Sequence, residues 1–255
     1  MAKEKLGLGL GILLTVFVSA AVTYDLGKNQ EHLQQKFLPA SDQAASLSMP
    51  PPTPSPSPDP TQNLDESYHL TLATFFWVGE PADESNGYID NVKSAWDSSW
   101  MTHFGGLDDP EDRCGYHPCS FTPLENPFYF ALPYNDLDAA GLRKDSARQI
   151  PWFKTAQDQK SVLKNTWIEV RYFDQTCYAQ WQDVGPFETD DFDYVFGEEP
   201  PQNQLGVKAG LDLSPAMRDC LKMTTNDRVG WKFVEGEEVP AGPWTEIITT
   251  RSVSW

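Results

Sequence analysis

The residue of this sequence best suited to acid–base chemistry is Asp183, which lies within Trp181–Phe187 (WQDVGPF). Cleavage of a glycosidic bond needs a proton donor, usually a carboxylic acid whose pKa is raised by apolar or like-charged surroundings. Trp181 and Phe187 could exclude water from Asp183 and stack on sugar rings. An aspartate before a Gly-Pro turn also commonly accepts hydrogen bonds from backbone amides of that turn. Asp183 is therefore either a general acid or a turn residue.

A second carboxylate, Glu125, precedes an Asn-Pro pair. It either assists Asp183 in catalysis or stabilises a turn. Aromatic side chains on the neighbouring predicted strands are candidates for stacking on a sugar substrate. The candidate substrate-binding residues are Trp181, Phe187, Tyr129 and Tyr178.

Other polar clusters are better explained by local structure. Cys114, His117 and Cys119 would be cramped as metal ligands, and no second cluster completes such a site. The acidic loop Glu188–Tyr194 lacks the glycine and terminal glutamate of a calcium loop. Neither a P-loop nor a dinucleotide-binding fingerprint is present, because the glycines of Gly7–Gly11 lie in the predicted membrane segment. We therefore expect no metal and no cofactor.

Six short runs of strand-forming residues, each bounded by Pro, Gly, Asn or Asp, predict an all-β domain. Six short strands favour a small closed barrel. The third and fourth runs predict a hairpin, because only Asp174, Gln175 and Thr176 separate them. The runs are Leu70–Val78, Phe128–Leu132, Trp167–Phe173, Cys177–Gln182, Val229–Val234 and Trp244–Thr250.

Two helical insertions are expected among these strands. Ser214 followed by Pro215 is an N-cap and first-turn pair, which predicts a short helix over Pro215–Lys222. Asp212 is expected to anchor this helix rather than to contact substrate. A second helical piece is predicted between Leu137 and Lys164.

Three segments between Thr122 and Leu221 resemble a known family. TPLENPFYFALP (Thr122–Pro133) leads into a strand, WQDVGPF ends one, and GLDLSPAMRDCL (Gly210–Leu221) passes into a helix. Their order and spacing are similar to those of the double-psi β-barrel family that includes rare lipoprotein A, expansins and small barrel endoglucanases. The resemblance implies a six-stranded double-psi β-barrel in which Asp183 ends a strand and faces a substrate groove.

The sequence also departs from the family pattern. Glu125 stands where the rare-lipoprotein-A pattern has a catalytic-type histidine, and Val184 replaces an arginine. Lytic cleavage would need a replacement for the role of that histidine. The front of the domain, including Trp96–Trp100, His103–Gly106 and Arg113–Cys119, has no assigned counterpart in the family.

The N-terminus has the features of an export signal. Lys3 and Lys5 precede the uncharged run Leu6–Tyr24, which is about long enough to cross a bilayer, so residues 1–24 are predicted to be a retained signal anchor or a cleaved signal peptide. Residues 25–67 are rich in Pro, Ser and Gln and predict a disordered tether. The barrel domain is expected over residues 68–255.

Charge and cysteine content narrow the partners. The chain has 37 acidic and 19 basic residues and a formal charge of −18, which argues against nucleic acid or an anionic membrane surface as a partner. The membrane is expected to be contacted only through the N-terminal segment. Four cysteines follow that segment, and an oxidising compartment would allow at least one disulfide, with Cys177 as a participant. Sequence leaves three possible pairings open.

Three functions fit these features. The first is a glycan-active protein of the cell envelope that cleaves peptidoglycan or a related polysaccharide, with Asp183 as general acid and Glu125 as second carboxylate. The second is a non-catalytic, expansin-like barrel that binds carbohydrate or peptidoglycan through aromatic faces. The third is a structural envelope protein. In each case the protein is expected to be anchored facing the periplasm or exterior, or to be secreted if the N-terminal segment is cleaved.

Overall fold

The structure is a computed structural model that describes residues 57–84, 86–154, 159–205 and 207–252. The predicted membrane segment, residues 1–24, and residues 25–56 of the predicted tether lie outside these ranges. Within the described ranges, none of the helices combines the length and the apolar character needed to cross a membrane. Near the start of the described chain, the backbone N–H of Phe173 donates to the carbonyl of Pro60 at 2.8 Å.

The described part of the chain is mostly β and forms a closed six-stranded barrel. A separate two-stranded hairpin consists of β2 (Arg113–Cys114) and β3 (His117–Pro118). The barrel strands are β1 (His69–Phe75), β4 (Tyr129–Leu132), β5 (Trp167–Tyr172), β6 (Gln175–Val184), β7 (Leu211–Leu213) and β8 (Asp227–Val234). They close in the order β1-β7-β4-β6-β5-β8. The pairs β1/β7 and β4/β6 are parallel, and the other neighbouring strands are antiparallel.

Five of the six predicted strands are confirmed, and the hairpin is β5/β6, whose Tyr172–Gln175 pair leaves only Phe173 and Asp174 in the loop. The predicted strand at Trp244–Thr250 is wrong. The chain there begins with a 3-10 helix, Pro243–Thr245, because Thr245 Oγ1 accepts the N–H of Gly242 and fixes a turn. The sixth barrel strand is β7, which at three residues was too short to recognise from sequence.

The remaining helices are short. They are α1 (Trp100–Phe104), α2 (Phe192–Val195), α3 (Pro215–Leu221) and the 3-10 segments Ser146–Gln149 and Gly236–Glu238. The predicted cap of α3 is confirmed, since Ser214 Oγ accepts the N–H of Met217 at 3.2 Å. Between Leu137 and Lys164, where residues 137–154 and 159–164 are described, the predicted helical piece corresponds to the short 3-10 segment Ser146–Gln149.

Two apolar clusters hold these elements together. The interior of the barrel is filled by large side chains such as Ile168, Trp181 and Trp231, all fully buried. A second cluster, which includes Trp100, Phe104 and Tyr129, joins α1 to the barrel. Each such side chain contributes about 1.5–3 kcal/mol when removed from water. The second cluster therefore fixes the front segment against β4.

Two disulfides are present, Cys114–Cys119 and Cys177–Cys220. The predicted participation of Cys177 is confirmed. Cys177–Cys220 joins β6 to α3 across 43 residues of sequence, whereas Cys114–Cys119 closes the β2/β3 hairpin. The Cys177–Cys220 disulfide therefore holds β6, which contains Asp183, against α3, which follows Asp212 in the chain.

Candidate functional site

A row of four paired residues crosses the barrel from β1 to β6. Thr74 pairs with Asp212, Asp212 pairs with Ala131, and Ala131 pairs with Asp183. Directly paired residues point to the same face of a sheet, so the two aspartates lie on either side of the small Ala131 side chain. Two interstrand spacings separate their Cα atoms by about 9–10 Å. Ala131 thus leaves space between two carboxyl groups.

The register that brings Asp183 into this row depends on a β-bulge. Along β4 and β6, Phe130 pairs with Trp181 but the next residue, Ala131, pairs with Asp183, so Gln182 is the extra residue. Bulges commonly re-aim side chains beside functional sites. The indole Nε1–H of Trp181 donates to the Asp183 carbonyl at 2.7 Å and supports the irregular backbone. After the strand, the Gly185-Pro186 peptide bond is cis.

The row forms part of the wall of a groove of about 450 Å³. Carboxyl groups of Asp183, Asp212 and Glu80 line it, together with the amides of Asn86, Asn91, Asn203 and Asn226. Apolar side chains supply most of the remaining wall, among them Phe75, Phe76, Trp77, Ile89, Phe187, Leu205 and Val207. Pockets that combine apolar walls with a few convergent polar groups are the usual form of small-ligand sites.

Asp183 is almost fully buried, with 7% of its surface exposed. Its Oδ1 accepts the backbone N–H of Ala95 at 2.7 Å and that of Val184 at 2.8 Å. Burial raises the pKa of Asp183 to about 7, while the two N–H donors and the more distant Lys164 oppose this rise. Its second oxygen, Oδ2, accepts no hydrogen bond from the described residues and is left for the groove.

Asp212 is partly buried and accepts a hydrogen bond from the hydroxyl of Thr74 through Oδ1. Burial raises the pKa of Asp212 to about 7; the hydrogen bond from Thr74 opposes this rise, and the charge of Asp183 adds to it. Asp212 Oδ2 lies at Gly185, where an added Cβ would be 3.6 Å away. Asp183 and Asp212 are therefore an interacting pair, and their titration belongs to the pair rather than to either residue.

Glu80 brings a third carboxyl to the groove from the loop that follows β1. It is 6% exposed, and Asn91 Nδ2 donates to its Oε2 at 2.6 Å. Burial raises the pKa of Glu80 to about 7, and the charge of Asp212 adds to this effect, whereas hydrogen bonds from Asn91 and Asn86 oppose it. Three carboxyl groups whose pKa values are each raised to about 7 thus share one groove.

The structure separates the residues predicted to act together. Phe187 lines the groove with Asp183. Trp181 is fully buried in the barrel core, and Tyr129 is fully buried with its hydroxyl donating to Asp108 Oδ2 at 2.8 Å. Tyr178 donates to Glu169 Oε2 at 3.0 Å, away from the groove lining.

Glu125 also lies outside the groove lining. It is 3% exposed and its Oε1 is 3.3 Å from Arg251 Nε. Burial raises the pKa of Glu125, with Lys164 opposing the rise. Sequence reasoning paired Asp183 with Glu125, but the carboxyls that share the groove with Asp183 are Asp212 and Glu80.

Sequence reasoning missed Asp212 and Glu80 for different reasons. Asp212 belongs to the Asp-Leu-Ser segment of the family resemblance, and that match was a usable signal. Glu80 lies in a loop without any such match, so only the fold brings it to the groove. Within the described residues, no group of three or more His, Cys, Asp or Glu side chains is placed to hold a metal ion.

No protein-family model matches this sequence, and no curated protein matches it.

Proposed function

We propose that this protein is an exported, glycan-active protein of the cell envelope that cleaves peptidoglycan or a related polysaccharide. The observation that carries the proposal is the pairing of Asp183 and Asp212 on either side of Ala131 in one groove. Each carboxyl has a pKa raised to about 7, so near neutral pH the pair retains a proton that it can donate.

The strand arrangement supports membership of the double-psi β-barrel family. Two parallel pairs, β1/β7 and β4/β6, are built into a closed barrel of six strands, so the chain must cross the barrel between non-consecutive neighbours. The Asp-Val-Gly-Pro-Phe segment ends β6, and the Asp-Leu-Ser segment joins β7 to α3. Both family-like segments contribute an aspartate to the same groove.

The contacts of the two aspartates favour a division of roles. Two backbone N–H groups donate to Asp183, and such bonds favour the ionised form. Among the described residues, Asp212 accepts only one hydrogen bond, from the Thr74 hydroxyl, and the negative charge of Asp183 raises the pKa of Asp212, which favours its protonated form. We therefore assign the proton to the pair, with Asp212 as its preferred carrier and Asp183 as the carboxylate that stabilises positive charge developing on the sugar.

This division also addresses the missing family histidine. Glu125 occupies the corresponding sequence position but lies outside the groove lining. An ionised Asp183 can accept a proton through its free Oδ2, so a base is available beside the acid without Glu125.

Export is supported by the two disulfides. Both join cysteines that follow the apolar N-terminal run, and disulfides persist in oxidising compartments outside the cytoplasm. The proposal places the barrel on the outer side of the membrane, either anchored or released.

A non-catalytic binding barrel is the second candidate. The observation that favours it is the exposed apolar rim of the groove, where Ile89, Leu205 and Val207 are 49%, 57% and 51% exposed. Such side chains can contact the apolar faces of sugar rings without any cleavage.

Release of soluble fragments from purified peptidoglycan and from β-linked glucans separates the two candidates. Wild-type protein should release fragments, and Asp183→Asn and Asp212→Asn should each reduce turnover roughly 100-fold or more while still binding glycan. Glu125→Gln should reduce turnover less than either aspartate substitution. Wild-type protein that binds but releases nothing would favour the binding barrel, and undiminished release by both aspartate variants would exclude the pair as the proton donor.

A further inference from the structure

The groove contains more hydrogen-bond acceptors than the protein itself satisfies. Asp183 Oδ2 and Asp212 Oδ2 accept no hydrogen bond from the described residues, although Asp183 is more than nine-tenths buried. Neither oxygen is among the fully buried, unpartnered atoms of the described residues, so both are accessible from the groove that these residues line. A ligand of this groove should therefore bring donors.

The groove also lacks positive charge of its own. Three carboxyls line it, and among the lining residues that the structure describes none is Lys, Arg or His. The loop Val78–Val92, which carries Glu80, contains further acidic residues and no basic one. Several like charges around a cleft attract ligands of the opposite charge.

Glu80 differs from the two aspartates in the way it is held. Asn91 fixes one of its oxygens at 2.6 Å, and the loop backbone is tied in the same place because Asn91 N donates to the Glu80 carbonyl at 3.0 Å. Asn86 adds a second side-chain hydrogen bond to the carboxyl. Asp183 and Asp212 belong to the row of paired strand residues that is proposed to transfer the proton. Glu80 lies outside that row, so its carboxyl is free for a role other than proton transfer.

We propose that Glu80 is a specificity-determining residue that recognises a free, positively charged amino group on the glycan, so that the preferred substrate contains unacetylated amino sugars. This inference rests on the proposed function. An amino sugar fits because its hydroxyls donate to the unpaired oxygens, its ammonium group pairs with Glu80, and its ring C–H face contacts Ile89, Leu205 and Phe187. A basic peptide brings the charge but not the ring hydroxyls.

Three matched ligands test the inference: an N-acetylglucosamine oligomer, the same oligomer after de-N-acetylation, and the latter after chemical re-N-acetylation. Binding should be measured by calorimetry on the full chain at pH 6.5 and at pH 7.5, because the pKa of Glu80 is about 7 and its carboxylate is the form that pairs with an ammonium group. Wild-type protein should bind the de-N-acetylated oligomer roughly tenfold more tightly than the other two, the scale of one charge-assisted contact. A Lys-rich peptide is the fourth ligand.

Glu80→Gln should abolish most of this preference and change affinity for the N-acetylated oligomer less than about threefold. Glu80→Asp, which retains the charge, should preserve part of it. Glu84→Gln is the matched control, because Glu84 is an exposed glutamate of the same loop outside the groove lining. Circular dichroism verifies folding of each variant.

Equal affinity of wild-type protein for the acetylated and de-N-acetylated oligomers would overturn the inference and leave the proposed function standing. Persistence of the preference in folded Glu80→Gln would overturn the role of Glu80. Failure to bind or cleave any glycan, including binding of the Lys-rich peptide alone, would overturn the proposed function together with the inference.

Discussion

Two groups of buried charges in this protein have opposite compositions. The groove holds Glu80, Asp183 and Asp212, with no cation among its described lining residues. A second group of charged residues is here called the Glu125 cluster, and its members are Asp97, His103, Glu125, Lys164 and Arg251. The cluster contains two carboxylates and two permanent cations, so its charges nearly balance.

The Glu125 cluster contains a hydrogen bond and an ion pair between side chains. His103 Nδ1 is 2.7 Å from Asp97 Oδ2, and Arg251 Nε is 3.3 Å from Glu125 Oε1. Lys164 Nζ is buried without a hydrogen bond from the described residues, and burial lowers the pKa of Lys164 while Glu125 opposes this effect. Asp97 and Glu125 are buried and depend on these neighbours, whereas Arg251, at 47% exposed, also contacts water.

The difference is the reason for assigning the groove carboxyls, and not Glu125, to the proposed chemistry. In the Glu125 cluster a carboxylate is matched by cations, and its loss would leave a buried positive charge. In the groove the carboxyls lack such partners and open to a cavity, so they can exchange protons and ligands. Burial alone therefore does not distinguish a reactive acid, whereas the absence of a protein cation beside it does.

Removal of Glu125 should have the largest effect on stability. Glu125→Ala leaves the buried Lys164 Nζ without its neighbouring carboxylate, which should cost on the order of 3 kcal/mol, since the other partner, Arg251, is 47% exposed and can be solvated by water. Urea denaturation at pH 7 measures the free energy of unfolding. Glu237→Ala, at an exposed glutamate, is the control and should change it by less than about 0.5 kcal/mol. A Glu125→Ala protein as stable as wild type would remove the distinction between the two groups.

Asp212→Asn should raise the free energy of unfolding at alkaline pH, whereas Glu125→Ala should lower it. The pKa of Asp212 in the folded protein, about 7, is above its ordinary value of 3.8, so folding favours the protonated form. The stability that this group provides is present below about pH 4 and is lost as pH rises through 7. Relative to wild type, the variant should gain on the order of 1–3 kcal/mol between pH 4.5 and pH 8.

Denaturation curves of both proteins across that range provide the test of Asp212. Asp90→Asn, at an exposed carboxyl of the groove loop, is the control for loss of a charge. A difference between wild type and Asp212→Asn that does not vary with pH would mean that Asp212 is not a desolvated carboxyl.

Ala131→Val tests the space between the two aspartates. Ala131 is the register partner of both, and valine would place two methyl groups where the glycosidic bond is proposed to lie. Fragment release should fall about tenfold, which corresponds to ~1.4 kcal/mol. Ala131→Ser adds only a hydroxyl and should retain more activity. Full turnover by Ala131→Val would show that substrate does not pass between the carboxyls.

Asp97→Asn should have the smallest effect of these substitutions. It tests the connection between the Glu125 cluster and the groove. Asp97 lies in the turn whose Ala95 N–H donates to Asp183, and the hydrogen bond between Asp97 and His103 helps to hold that turn. Because the Ala95 bond favours ionised Asp183, weakening it should raise the Asp183 pKa by about half a unit, or ~0.7 kcal/mol. Titration of the Asp183 carboxyl carbon by NMR measures this shift. An unchanged titration in a folded variant would show that the turn is held without Asp97.

Much of the barrel was predictable because its signals are local. Alternating apolar and aromatic residues located five of the six strands, and the Ser214-Pro215 pair located α3. The strand β7 was missed because three residues are too short for a periodic pattern, and Trp244–Thr250 has strand-like composition but is fixed in a turn by Thr245. In both places tertiary contacts outweigh propensity.

The amino-acid sequence by itself determined that Asp183 lies near the end of an aromatic-rich strand and that the chain is acidic and has four cysteines. Only the tertiary structure decided which carboxyl stands beside Asp183. The bulge at Gln182 and the parallel pairing of β4 with β6 bring Asp183 opposite Ala131, and β7 brings Asp212 to the other side. Strand register and crossover connections act between residues distant in sequence, so no local pattern encodes that pairing.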